Sequence, residues 1–103
     1  MDVLITGTSS GIGRATAELF LARGWRVVGF DILPATIEHD AYDHRIVDVR
    51  EPKTYPADIH PNVIVNNAGV QDSADDIAVN LRAVIDVTEC YAFCGEGLAA
   101  TPA

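Results

Sequence analysis

Thr6-Gly7-Thr8-Ser9-Ser10-Gly11-Ile12-Gly13 sits between a strand-forming run, Val3-Leu4-Ile5, and a helical pattern that extends from Arg14 to Ala22. The glycines let the backbone turn tightly and approach a ligand without a Cβ in the way. The start of the following helix supplies unpaired N–H groups and the positive end of its dipole, which together favour an anion. A strand, a glycine-rich turn and a helix in that order predict a parallel α/β sheet whose first turn cradles the pyrophosphate of a dinucleotide.

Apolar runs and helical patterns alternate on both sides of this turn, as βαβ units do. The first strand is expected over residues 2–6. The first helix is expected from Gly11 to Arg23, with Ile12, Ala15, Leu19 and Ala22 on its buried face. Gly24 reads as the left-handed residue that ends it. Further strands are expected at Arg26–Phe30, Arg45–Val49 and Asn62–Asn66. Pro52, Pro56 and Pro61 allow only a short, irregular connection between the last two. Ser73 reads as an N-cap, with Asp75 and Asp76 in the first turn of a second helix. Ile77, Leu81, Val84, Ile85 and Thr88 supply its apolar stripe, and Gly95 and Gly97 its end.

Right-handed crossovers arrange these four strands in the order 3-2-1-4. The expected fold is a Rossmann-type, doubly wound α/β sheet, incomplete at about four strands, with the fourth left as an exposed edge. Residues 1–103 read as a single partial domain, and residues 90–103 as an aberrant or disordered tail in which Leu98 to Ala103 form no element. That tail reads as a premature end, through truncation or a shifted reading frame.

The chain carries a formal charge of −8, which argues against nucleic-acid partners and anionic membrane surfaces. Met1-Asp2 leads straight into a strand, and no apolar run approaches a membrane span, so a cytoplasmic location is expected. Cys90 and Cys94 are the only cysteines, and no clustered His completes a metal site with them. They read as two reduced thiols in a helix. His39, His44 and His60 read as surface residues.

Asp31 lies 18 residues beyond Gly13, at the end of the second strand. A carboxylate there accepts hydrogen bonds from the adenosine ribose and repels a 2′-phosphate. Ile32, Leu33 and Ser10 offer that phosphate no positive charge. The cofactor predicted is NAD rather than NADP.

Thr6-Gly7-x-x-x-Gly11-Ile12-Gly13 resembles the cofactor motif of the classical short-chain dehydrogenase/reductase family, and three later positions agree in order. Asp48-Val49 is similar to the family's acidic-aliphatic pair beside the adenine. Asn66-Asn67-Ala68-Gly69 resembles the motif that steadies the central sheet and lines the cofactor cleft. Asn80 is similar to the active-site Asn that organises a water in the proton relay, and covers the catalytic position. The resemblance spans about residues 1–90. It implies a cofactor site of Gly7, Thr8, Ser9, Ser10, Gly11, Ile12, Gly13, Asp31, Ile32, Asp48, Val49, Asn67, Ala68 and Gly69. It also implies hydride transfer between NAD and a small-molecule alcohol or ketone, and it allows a homo-oligomer through the second helix.

The chain departs from the family in two compressed connections, Asn66 to Asn80 and the third strand to the fourth, and in its catalytic residues. Hydride transfer to a carbonyl needs a proton donor and an oxyanion partner, which the family supplies with a Ser and a Tyr-x-x-x-Lys pair. Four residues after Tyr42, Tyr55 and Tyr91 stand Ile46, Ile59 and Gly95, and Lys53 is the only lysine. Two readings stay open: an oxidoreductase lineage of which this chain holds the dinucleotide-binding half, or a non-catalytic NAD-binding module or inert fragment.

Overall fold

The computed structural model describes residues 1–68, 76–92 and 98–100. Strand β1 (Asp2–Thr6) leads into helix α1 (Gly11–Ala22), followed by β2 (Arg26–Asp31) and β3 (Tyr42–Ile46). A 3₁₀ turn at Pro52–Thr54, strand β4 (Val63–Val65), helix α2 (Asp76–Ala92) and strand β5 (Leu98–Ala100) complete the order. The strands form one parallel sheet, β3-β2-β1-β4-β5. The doubly wound α/β fold and the order 3-2-1-4 expected for the first four strands are both present.

β1 is central and apolar on both faces because both faces are covered. Leu4 points to one side, where Phe30, Ile64, Val87 and Tyr91 form a core beneath α2. Val3 and Ile5 point to the other, where they meet Ala17, Leu21, Val27 and Val65 beneath α1. Val3, Leu4 and Ile5 are wholly buried, each contributing about 1.5–3 kcal/mol of transfer free energy.

The end of α1 follows from its sequence. Gly24 adopts φ +83°, its N–H donates to the Leu21 carbonyl, and the Trp25 N–H reaches back to Phe20. This is a Schellman motif. The hydrophobic contact that accompanies it is the edge-on packing of Trp25 against Phe20, with ring centroids 4.9 Å apart.

Several expectations are corrected. Ile12, Ala15, Leu19 and Ala22 are all exposed, and α1 instead buries Gly13, Ala17 and Leu21. On α2, Leu81 and Ile85 are exposed while Ala83, Val87 and Tyr91 are buried. Both helices place small residues against the sheet, Gly13 and Ala17 on α1 and Ala83 on α2, beside the larger Leu21, Val87 and Tyr91.

The third strand begins at Tyr42, not Arg45. Its sequence, Tyr-Asp-His-Arg-Ile, lacks the apolar run that marks a buried strand. Pairing is set instead by the register of Tyr42 with Val27 through Ile46 with Asp31. Val47 to Val49, read as strand, belong to the bend beyond it. Leu98–Ala100, expected to form no element, pair in parallel with Val63–Val65, so β4 is not the sheet edge. A row of unpaired N–H and C=O groups accepts a short extended segment whatever its side chains, and Leu-Ala-Ala carries little strand propensity of its own. Ser73, Gly69, Cys94, Gly95 and Gly97 lie outside the described residues.

Candidate functional site

On either side of β1 the chain winds in opposite directions, and at the carboxyl ends of the strands a cleft of about 560 Å³ opens. This is the position at which doubly wound sheets bind ligands. The volume is in the range of small-molecule sites, roughly 300–1,000 Å³.

Close packing forms one wall. Gly7 has φ +77°, and a Cβ there would lie 3.0 Å from Asn67 Nδ2 and 3.1 Å from Ala68 Cα. A Cβ on Gly13 would lie 1.9 Å from the Gly7 carbonyl oxygen, so α1 starts in contact with the turn that precedes it. Across this junction the buried Thr6 hydroxyl accepts the N–H groups of Asn67 and Ala68, both at 2.9 Å. Asn67 Nδ2 donates to the Gly7 carbonyl at 3.3 Å. Asn66 turns the other way, donating to the Thr88 hydroxyl of α2.

The first turn of α1 carries no acidic residue, and Ser10 makes no side-chain cap. The dipole end is therefore left for an external anion. Missing Cβ atoms, an uncapped helix start and a carboxylate on the opposite lip fit a dinucleotide.

That carboxylate is Asp31. Its Oδ2 accepts the Ser9 N–H and its Oδ1 the Leu33 N–H, each at 2.9 Å. A carboxylate has about four acceptor positions, so roughly two remain for hydroxyls in the cleft. Asp48, on the adjacent rim, is gripped by Arg50 through Nε at 2.9 Å and a terminal nitrogen at 2.8 Å. The Arg50 bond holds the Asp48 carboxyl below the usual carboxylate range, against the opposing effect of burial.

Of the site residues named from the sequence, Gly7, Ser10, Asp31, Ile32, Asp48, Val49, Asn67, Ala68 and Asn80 border this cleft. Thr8 and Ser9 do not. Both are buried under the turn, Thr8 against Tyr42 and Ser9 against Asp31 and Pro34. Gly11 and Ile12 are exposed at the start of α1, and Gly13 is packed on Gly7. Sequence reasoning missed Phe30, Val47, Leu33 and Arg50, which also border the cleft. For Arg50 a signal existed: a cation two residues after a carboxylate can close onto it. His44 is not the bare surface residue expected, since it bonds to Tyr42 and to the Leu33 carbonyl.

Among the described residues no cluster of His, Cys, Asp or Glu is arranged for a metal, and no helix is long and apolar enough to cross a membrane.

A family model described as short chain dehydrogenase matches residues 2–61. The chain is 32% identical over 90 residues to 2-(R)-hydroxypropyl-CoM dehydrogenase of Xanthobacter autotrophicus, covering 70% of this chain and 36% of that protein. Among solved structures it resembles 4-hydroxyisoleucine dehydrogenase complexed with NADH, with a TM-score of 0.80 at 22% identity over 97% of this chain and 54% of that one. It also resembles a short chain dehydrogenase from Leptospira borgpetersenii with bound NAD+, with a TM-score of 0.80 at 18% identity over 97% and 50%. The chain thus spans about a third of that curated relative and about half of the structures it matches.

Proposed function

The chain belongs to the short-chain dehydrogenase family, and from that membership we propose that its cleft holds NAD for hydride exchange with a small-molecule alcohol or ketone. When bound, the nicotinamide supplies the hydride acceptor or donor. In this reading the turn at Gly7–Gly13 and the start of α1 take the pyrophosphate. Asp31 takes the ribose hydroxyls, Asp48 and Val49 border the adenine, and Asn67 and Ala68 line the strand-end wall. Asn80, on α2, provides an amide suited to hold a water in a proton path. Residues 1–103 contain no Tyr-x-x-x-Lys pair, so these residues account for cofactor binding and not for proton transfer to the substrate.

The observation that carries this reading is Asp31, fixed by two backbone N–H groups with acceptor capacity left facing the cleft. It also supports NAD over NADP. A 2′-phosphate about 4 Å from this carboxylate meets a repulsion between ~1 and ~4 kcal/mol per unit charge, depending on local screening. That corresponds to a preference of roughly fivefold to several hundredfold.

NADH and NADPH fluorescence titrations test it. The unmodified chain should bind NADH at least about fivefold more tightly, and Asp31→Ala should weaken NADH and narrow the gap. An unchanged preference in Asp31→Ala removes Asp31 from the site, and no saturable binding of either nucleotide refutes the cofactor reading.

A further inference from the structure

The segment after Asp31 has no core of its own: residues 32–36 are all exposed. Its position relative to the glycine-rich turn depends on hydrogen bonds. Ser9 Oγ donates to the Pro34 carbonyl at 2.9 Å, and Thr36 Oγ1 donates to the Ser9 carbonyl at 2.8 Å.

A second connection runs across one face of the sheet. Gly29 of β2 stands between the turn and β3, and a Cβ there would lie 2.2 Å from Tyr42 Oη and 2.4 Å from Thr8 Oγ1. The missing side chain is a window through which the Tyr42 phenol reaches the buried Thr8 hydroxyl at 2.7 Å. The same Oη lies 2.7 Å from His44 Nδ1, and His44 Nε2 lies 2.9 Å from the Leu33 carbonyl. Thr8, Tyr42, His44 and Leu33 thus form one continuous chain from the turn to the segment beyond Asp31.

The chemistry of the last acceptor orients the whole chain. A carbonyl oxygen only accepts, so Nε2 carries the hydrogen and the Nδ1 of the neutral ring accepts from Tyr42. Tyr42 then accepts from Thr8. Burial raises the Tyr42 phenol above its ordinary value against the opposing Thr8 bond, and Asp31 and Asp43 add smaller upward effects. It therefore remains a donor at neutral pH.

We propose that Tyr42 and His44 are positioning residues for the cofactor site: their brace fixes Leu33, and with it the carboxylate of Asp31, before the adenosine ribose arrives. Asp31 is tied to this brace at both ends, accepting Ser9 N–H next to Thr8 and Leu33 N–H next to the braced carbonyl. Ordering the segment in advance removes an entropic cost from binding. The proposal rests on the NAD reading of the cleft, and its test separates the two.

Tyr42→Phe keeps the ring and removes the hydroxyl, and His44→Phe removes both ring nitrogens. Amide hydrogen exchange without nucleotide should be about fivefold to tenfold faster at Ser9 and Leu33 in each variant, with the Leu4 amide of β1 unchanged. The NADH dissociation constant should rise by a similar factor. Thr8→Val with Tyr42→Phe leaves no buried hydroxyl unmatched, so its melting temperature should recover while Leu33 exchange stays fast. Unchanged Leu33 exchange, a uniform rise that includes Leu4, or joint recovery of melting and exchange in the double variant overturns the brace. If the unmodified chain fails to bind NADH, the cofactor reading falls. If it binds and the variants bind equally well, the brace falls alone.

Discussion

Gly13→Ala adds one methyl group to a helix position with ordinary backbone angles, so conformational strain plays no part in its effect. The added Cβ would sit 1.9 Å from the Gly7 carbonyl oxygen, 2.5 Å from Asn67 Nδ2 and 2.7 Å from the Gly7 carbonyl carbon. Two of these neighbours are backbone, and the third belongs to a side chain that bonds the same carbonyl. To restore even a 3.0 Å contact, α1 must withdraw from the turn by roughly 1 Å. A gap of that size costs packed atoms about a quarter to a half of their dispersion attraction, and Ala17 and Leu21 rest on the same helix face. Overpacking costs typically 1–3 kcal/mol, and contact with backbone on two sides points to the upper end, about 3 kcal/mol. For a domain of this size each kcal/mol moves Tm by roughly 4–8 °C, so melting should fall by more than 10 °C. Gly24→Ala is the control. There a Cβ meets nothing within 4 Å, and only its φ of +83° opposes the substitution, at about 1 kcal/mol. Circular dichroism melts of both variants check the reasoning. A Gly13→Ala protein that melts with the unmodified chain, or above Gly24→Ala, refutes the close contact between helix and turn.

Two pH-dependent outcomes accompany it. Burial pushes the Tyr55 phenol up to about 12 and raises Tyr91 as well. Folded values above the unfolded one mean that their contribution is complete below about pH 10 and is lost as pH rises through the folded values. Absorbance at 295 nm should show these phenolates forming late and together with loss of structure; ordinary titration near pH 10 in a folded chain contradicts their burial. Arg50→Ala should let the Asp48 midpoint rise toward its ordinary value. Since the folded value is depressed, the pair's contribution is present above the unfolded value and lost as pH falls through the folded one. Carboxyl carbon NMR reads the midpoint directly, and an unmoved value in Arg50→Ala means the ion pair does not form in solution.

The cleft was legible because its parts are coded locally. A turn between strand and helix needs its glycines within a few residues of each other, so Gly7 and Gly13 are visible in one dimension. Asp31 follows from the length of one helix and one strand. Asn67 and Ala68 follow from the next strand end. The β3 boundary was not legible, because Tyr42 to Ile46 form a polar edge strand held by register with β2 and by the Arg45 pairs to Asp43 and Asp58. Apolar Val47 and Val49 beside it gave the stronger pattern and drew the expected strand onto the bend. Strand β5 was invisible for a related reason: its partner, Val63–Val65, supplies the reason for it to be extended.

The buried faces of the helices were misread for a cause that bears on the site itself. Apolar periodicity selects the largest side chains, and it selected Ile12 and Leu19 on α1 and Leu81 and Ile85 on α2. The sheet instead receives Gly13 and Ala17 beside Leu21 on α1, and Ala83 beside Val87 and Tyr91 on α2. Closeness of α1 to β1 is also what brings the start of the helix against the Gly7 carbonyl and leaves its first turn at the rim of the cleft. A helix packed on its larger residues would stand farther from the sheet and carry its dipole away from the anion position. The same compromise recurs at Gly29, where a missing side chain in β2 lets Tyr42 reach Thr8. In this fold the residues that contribute least apolar area, Gly7, Gly13 and Gly29, set the geometry of the site. The large apolar residues of β1 supply the stability against which that geometry is held.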